Sequence, residues 1–154
     1  MLLKYLQRAV SIAEKSVEQG GGPFGAVIVK DGKVIAEASN SVTLDCDPSA
    51  HAEVNAIRAA CRLLKTHDLS GAEIYTSCEP CPMCLGAIYW ARCSRIHFAS
   101  TRSDAKAAGF DDDFIYGEFS KSPKSRSIPA SHEDFPGANA PFERWKSKED
   151  KKVY

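Results

Sequence analysis

The sequence has no excess of charge of either sign: 20 Lys and Arg stand against 20 Asp and Glu in 154 residues, for a formal net charge of zero. That balance argues against a chain that coats a polyanion by long-range attraction. There is no run approaching the roughly 18 consecutive apolar residues that a membrane-spanning helix needs. The opening stretch is interrupted by Lys4, Gln7 and Arg8, so it lacks the apolar centre of a secretory signal and points to the cytoplasm. Without an export signal the six cysteines do not read as a disulfide framework; they read as reduced thiols, some of them metal-binding or catalytic. The length suits one domain, residues 1–154, because independent domains usually need roughly 100–200 residues. A chain of this size buries about 68–70% of its unfolded surface, so a metal is not needed merely to complete a core and must have a functional reason.

What is present is a regular alternation of elements. Leu2, Leu3, Leu6, Ala9, Val10, Ala13 and Val17 recur at spacings of three and four, predicting an amphipathic helix over 2–19 that ends at Gly20-Gly21-Gly22-Pro23. Two β-rich runs flank Asp31-Gly32, a pair suited to a type I′ hairpin turn. Asp47-Pro48 is expected to cap and open a second helix running to about Leu64. Ala72–Ser77 reads as a strand, Pro82–Arg92 as a third helix and Arg95–Ser100 as a further strand. The alternation implies an α/β fold, a three-layer α/β/α sandwich around a central mixed sheet, expected to have five strands. Beyond Gly109 the apolar pattern thins. Residues 114–154 lack the means for a core of their own, and a short helix around Phe142–Lys148 is expected to dock on the domain or on another subunit.

Two clusters carry chemistry: His51-Ala52-Glu53 at a helix start, and Cys78-Glu79-Pro80-Cys81-Pro82-Met83-Cys84 where a strand passes into a helix. They contain the H-x-E and P-C-x-x-C pattern of zinc deaminases. Pro82 suits the first helical position, which places Cys81 at the cap and Cys84 in the first turn, facing the same way. The positive end of the helix dipole favours their thiolates. A neutral imidazole nitrogen of His51 supplies a third ligand, and three protein ligands leave the fourth tetrahedral position for water. Glu53 lies roughly 200° round the helix from His51 and need not ligate. A carboxylate beside the water can take its proton and return protons to the ring and the leaving amine. The competing reading of Cys78-x-x-Cys81 or Cys81-x-x-Cys84 as a redox pair does not require His-x-Glu upstream. Cys78 reads as a structural thiol, and Cys46, Cys61 and Cys93 as packing or free thiols.

These segments, with Gly22–Val29, Asp47–Arg58, Thr76–Arg92 and Ala108–Tyr116, resemble the cytidine deaminase-like superfamily, and within it the guanine deaminase branch. The resemblance implies zinc-dependent hydrolytic deamination of guanine to xanthine and ammonia. It implies one Zn²⁺ per subunit on His51, Cys81 and Cys84, and proton shuttling by Glu53. It also implies that Asn40, Asp112 and Tyr154 read the base edge, that Phe24 and Trp90 form aromatic walls, and that Ala52 belongs to the substrate site. Asp111 rivals Asp112 for its role, and core packing rivals stacking for Phe24 and Trp90. The partner implied is a small purine base, in a homodimer whose C-terminal segments cross between subunits. Guanosine deaminase is the runner-up, with tRNA adenosine deaminase behind it because the chain lacks a basic stripe. A zinc-stabilised binding module is disfavoured by the intact Glu53.

Overall fold

The computed structural model describes residues 2–154. Its spacing of apolar residues folds the first segment into helix α1, Leu2–Glu18, which buries Tyr5, Ala9, Ala13 and Ser16 on one face. The hairpin forms as expected from β1, Gly22–Lys30, and β2, Lys33–Asn40, with Asp31 at φ 50° and Gly32 at φ 73°, both in the left-handed region a type I′ turn requires. A short helix α2, Val42–Asp45, precedes α3, Ala52–Leu64; β3, Ala72–Cys78, α4, Pro82–Trp90, and β4, Arg95–Ser100, follow.

The sheet order is β2-β1-β3-β4, with β1 antiparallel to both β2 and β3 and β3 parallel to β4. Among the described residues the sheet has four strands, not five. The chain leaves β4 through Thr101, whose side chain accepts from Asp104 N while the Asp104 carboxylate accepts from Thr101 N. This capping box starts helix α5, Arg102–Ala107, where another strand would have had to begin.

Period-two alternation in β1 splits the core between two faces. Ala26 and Ile28 join Ala52, Ala56 and Ala60 of α3, with Leu69, Ile74 and Ile88. Val27 and Val29 join Tyr5 and Ala9 of α1, with Tyr75. Alanines at four-residue intervals leave the α3 backbone close to the sheet. The expected three layers are therefore present.

The helix expected to open at Pro48 begins at Ala52, four residues later. Asp47 closes a local turn, accepting from Ser49 N at 2.8 Å, and His51, at φ −70° and ψ 153°, is the cap of α3. Asp and Pro favour turns as well as helix starts, and here the turn wins. Helix α4 stops at Trp90, with Arg92 at φ 58°.

After α5 come α6, Asp112–Phe119, and α7, Ala140–Ser147. The chain divides into a larger unit ending at Tyr116 and a smaller one, Gly117–Tyr154. Within the smaller unit Glu118 is the only buried residue, and its carboxylate accepts from Ser127 N and Oγ at 2.6 and 2.8 Å. No helix among the described residues is long and apolar enough to cross a membrane.

Candidate active site

The zinc-type ligands come from two helix starts. Pro82 opens α4, and Cys81 caps it by accepting from Cys84 N at 3.5 Å, so the thiols sit one turn apart at the positive end of the helix. His51 caps α3, placing Nδ1 3.6 Å from Cys81 Sγ and 3.5 Å from Cys84 Sγ. For a tetrahedral zinc with Zn–S of about 2.3 Å and Zn–N of about 2.0–2.1 Å, the nitrogen-to-sulfur separation comes to about 3.6 Å. The residues present therefore fit the ion.

Their protonation is tuned accordingly. A hydrogen bond from Cys84, with help from His51, holds the Cys81 thiol down to about 4, while donation to Cys81 and burial push Cys84 up. Hydrogen bonding to Cys81 raises His51. The three groups share protons where a divalent cation would replace them.

Glu53 lies in the first turn of α3, 7% exposed, with its carboxyl in hydrogen-bonding reach of Cys84. Burial raises its pKa, which suits a group that must both accept and donate protons. Asn55, which the sequence reading passed over, secures this helix start. Its Nδ2 lies 3.1 Å from Ser39 O, 3.0 Å from Ser41 Oγ and 3.3 Å from Ala50 O.

A cavity of about 490 Å³ opens over the cluster, lined among others by His51, Glu53, Cys81, Asn40, Phe24 and Asp112. Asn40 is buried there, with Oδ1 accepting from Val42 N at 3.2 Å. A Cβ at Gly22 would come within 2.9 Å of that amide, so glycine at 22 is what leaves it room. Burial and the neighbouring Cys81 raise the Asp112 carboxyl. Asp111 does not line the cavity; its Oδ1 accepts from Phe114 N at 3.3 Å and caps α6.

Phe24 meets Phe110 edge to face, with ring centroids 4.9 Å apart, and both line the cavity. Phe110 and Glu79 are lining residues missed by sequence reasoning, although the Gly-Phe-Asp-Asp segment held the first of them.

Two expected site residues, Trp90 and Ala52, are not among the residues that line the cavity. Trp90 is 70% exposed and does not line the cavity, because nine residues of helix carry it about 13 Å from Cys81. The Ala52 side chain is fully buried in the core, between His51 and Glu53, which both line the cavity. Tyr154 belongs to the smaller unit, its ring 6.4 Å from that of Trp145. Cys78 fits its structural reading: burial pushes its thiol up to about 11, and Sγ donates to Thr101 O at 3.5 Å.

Residues 2–100 match the model of the cytidine and deoxycytidylate deaminase zinc-binding region. The chain belongs to this zinc-binding deaminase family. It is 52% identical to the guanine deaminase of Bacillus subtilis over 97% of both chains. The X-ray structure of guanine deaminase from Bacillus subtilis superposes with a TM-score of 0.96, covering 98% of this chain and 97% of the other. A tRNA-specific adenosine deaminase of Aquifex aeolicus is 44% identical, but over only 62% of this chain and 64% of its own. The likeness to the adenosine deaminase thus leaves more than a third of this chain uncovered, whereas the guanine deaminase covers nearly all of it.

Proposed function

We propose that the chain catalyses hydrolytic deamination of guanine, converting guanine and water to xanthine and ammonia. The observation that carries the reading is one cavity that joins Glu53 and the His51, Cys81, Cys84 group to Asn40, Asp112 and the Phe24–Phe110 pair. Near full-length likeness to a guanine deaminase supports the choice of base.

Zinc, when held by His51, Cys81 and Cys84, lowers the pKa of water towards 7, from about 15.7 in bulk. Glu53 takes a proton from the attacking water as its oxygen bonds to C2 and delivers one to the adjacent ring nitrogen. The same carboxylate then takes the proton of the new C2 hydroxyl and passes it to the exocyclic amine as the C2=O forms, the C2–N bond breaks and ammonia leaves. The Asp112 carboxylate accepts from guanine N–H groups, and the Asn40 amide donates to a base acceptor. Phe24 and Phe110 hold the planar ring by apolar contact and shield the reaction from bulk water. The cavity volume falls within the range of small-molecule sites, about 300–1,000 Å³.

The reading includes a cytoplasmic homodimer in which residues 117–154 cross to the partner and Tyr154 reaches its base site. Support comes from that unit's exposed apolar side chains, among them Phe119, Ile128, Phe135, Phe142 and Tyr154, which have no core of their own. Deleting Tyr154 is expected to weaken guanine binding, and unchanged affinity and turnover would refute the crossing segment's role.

An ammonia-release panel with guanine, guanosine, cytosine, adenine and a tRNA tests the substrate. Release with guanine far above the rest is expected. Preference for guanosine would move the reading to the nucleoside, and release from tRNA alone would overturn it.

A further inference from the structure

Asp112 occupies the cavity at the first residue of α6, yet the hydrogen bonds that position this helix start belong to its neighbours. Asp111 caps the turn through Phe114 N, and Asp113 points its carboxylate at Arg102, 3.5 Å from Nε. Arg102 is the hub of a wider clamp. Its backbone N donates to Glu79 Oε2 at 3.1 Å, and its Nε lies 3.7 Å from Glu79 Oε1. Its guanidinium lies over the Tyr116 ring, 4.6 Å from the centroid. Tyr116 in turn donates its hydroxyl to Pro80 O at 3.0 Å. Glu79 and Pro80 immediately precede Cys81, so one guanidinium ties two points on α6 to the turn that presents a metal ligand.

We propose that Arg102 is a positioning residue for base recognition: by bridging Asp113 and Tyr116 of α6 to Glu79 beside Cys81, it fixes the Asp112 carboxylate at the substrate cavity. The proposal rests on the reading of the cavity as a guanine site. Arginine suits the task because its planar fork can face two carboxylates while its flat face lies on an aromatic ring, which an ammonium cannot match. It also sets a fixed cation between Glu79 and Asp113, two carboxylates that would otherwise repel one another. Lys106, 3.8 Å from Asp111 and 3.9 Å from Asp113, supplies a second cation on the outer side but reaches neither Glu79 nor Tyr116 by any ion pair or ring contact.

The consequence is a loss of base affinity without loss of the reacting groups. If removing the clamp leaves Asp112 in place about a tenth of the time, apparent affinity for guanine falls about tenfold. The test compares Arg102→Ala, Arg102→Lys and Tyr116→Phe in the zinc-loaded full chain, each also in an Asp112→Ala background. Arg102→Ala is expected to raise KM for guanine about tenfold, with kcat within about twofold and zinc content unchanged. Arg102→Lys should recover part of that loss and Tyr116→Phe should show a smaller loss, so both serve if the alanine variant does not fold. In the Asp112→Ala background the Arg102 substitutions should add less than about twofold, because the residue they position is gone. An unchanged KM, or the full loss recurring without Asp112, would overturn the proposal.

Amide hydrogen exchange without substrate separates this inference from the functional reading. Faster exchange confined to α6 in the Arg102 variants supports the clamp even if the wild type leaves guanine untouched, an outcome that would sink the functional reading alone. Unchanged exchange would sink the clamp.

Discussion

Glu53 and Asn40 show how a side chain's surroundings determine its task. Glu53 is buried against a thiol of the ligand group, and in the proposed reaction it makes every proton transfer. Glu53→Gln should keep one zinc per chain while turnover falls at least about 10²–10⁴-fold, the usual worth of a positioned acid–base group. Metal analysis beside a rate assay checks both halves. Asn40 holds Val42 N as well as facing the cavity. Asn40→Ala should therefore raise KM and also cost about 1 kcal/mol of stability for the lost hydrogen bond, read by denaturant unfolding. The metal ligands and Glu53 were legible in the sequence because they fall in two short fixed-spacing motifs, Cys81-x-x-Cys84 at a cap and first turn opened by Pro82, and His51-x-Glu53. Phe110, Glu79 and Arg102 were not legible, because what unites them is a loop path no periodicity encodes. Trp90, expected as an aromatic wall, lies at the far end of α4, exposed and not among the residues lining this chain's cavity.

Among the elements, the contact between α1 and β1 is tightest at Gly25. A Cβ there would stand 2.3 Å from Ala9 O and 2.9 Å from Ala13 N, both backbone atoms that cannot swing aside. Gly25→Ala should cost about 1–3 kcal/mol, the usual cost of overpacking, and lower the thermal midpoint. Gly32→Ala meets no neighbour but sits at φ 73°, so its cost is one of backbone strain instead.

In the smaller unit, Lys121 and the Ser127 donors hold the Glu118 carboxyl down to about 2. A depressed carboxyl stabilises its surroundings fully above the ordinary glutamate pKa of about 4.3, and that contribution fades as pH falls towards 2. The Ser127 amide should accordingly stay protected at neutral pH and lose protection, measured relative to the intrinsic exchange rate at each pH, across that acid window; protection unchanged at pH 2 would contradict the assignment.

The hairpin and the strand–helix alternation were readable because turn chemistry and period-two burial are local. The α3 start and the strand count were not, since Asp47-Pro48 serves a turn as readily as a cap and the sheet's edge depends on where Thr101 diverts the chain.

At the scale of the whole molecule, the core is filled by large buried side chains, Ile28, Leu69, Ile74 and Ile88, that pack without any metal ligation, although the ligand Cys84 is itself fully buried. Chelation should stop turnover yet leave the far-ultraviolet circular dichroism intact. The thermal midpoint should drop by about 5–10 °C, as loss of a ligand present at about 100 times its Kd removes about 2.7 kcal/mol. Zero net charge accords with a small neutral base as the molecule handled, and it predicts no salt-dependent RNA binding. Near full-length agreement with a guanine deaminase fold means that the C-terminal third, which the sequence pattern alone left without a core, belongs to the shared architecture. The most direct test is the conversion of guanine to xanthine by the zinc-loaded protein, followed by absorbance and ammonia release, with Glu53→Gln measured in parallel. Stoichiometric xanthine and ammonia are expected from the wild type and almost none from a variant that still holds zinc; no xanthine from the wild type, or comparable turnover by the variant, would overturn the assignment of Glu53 and of guanine.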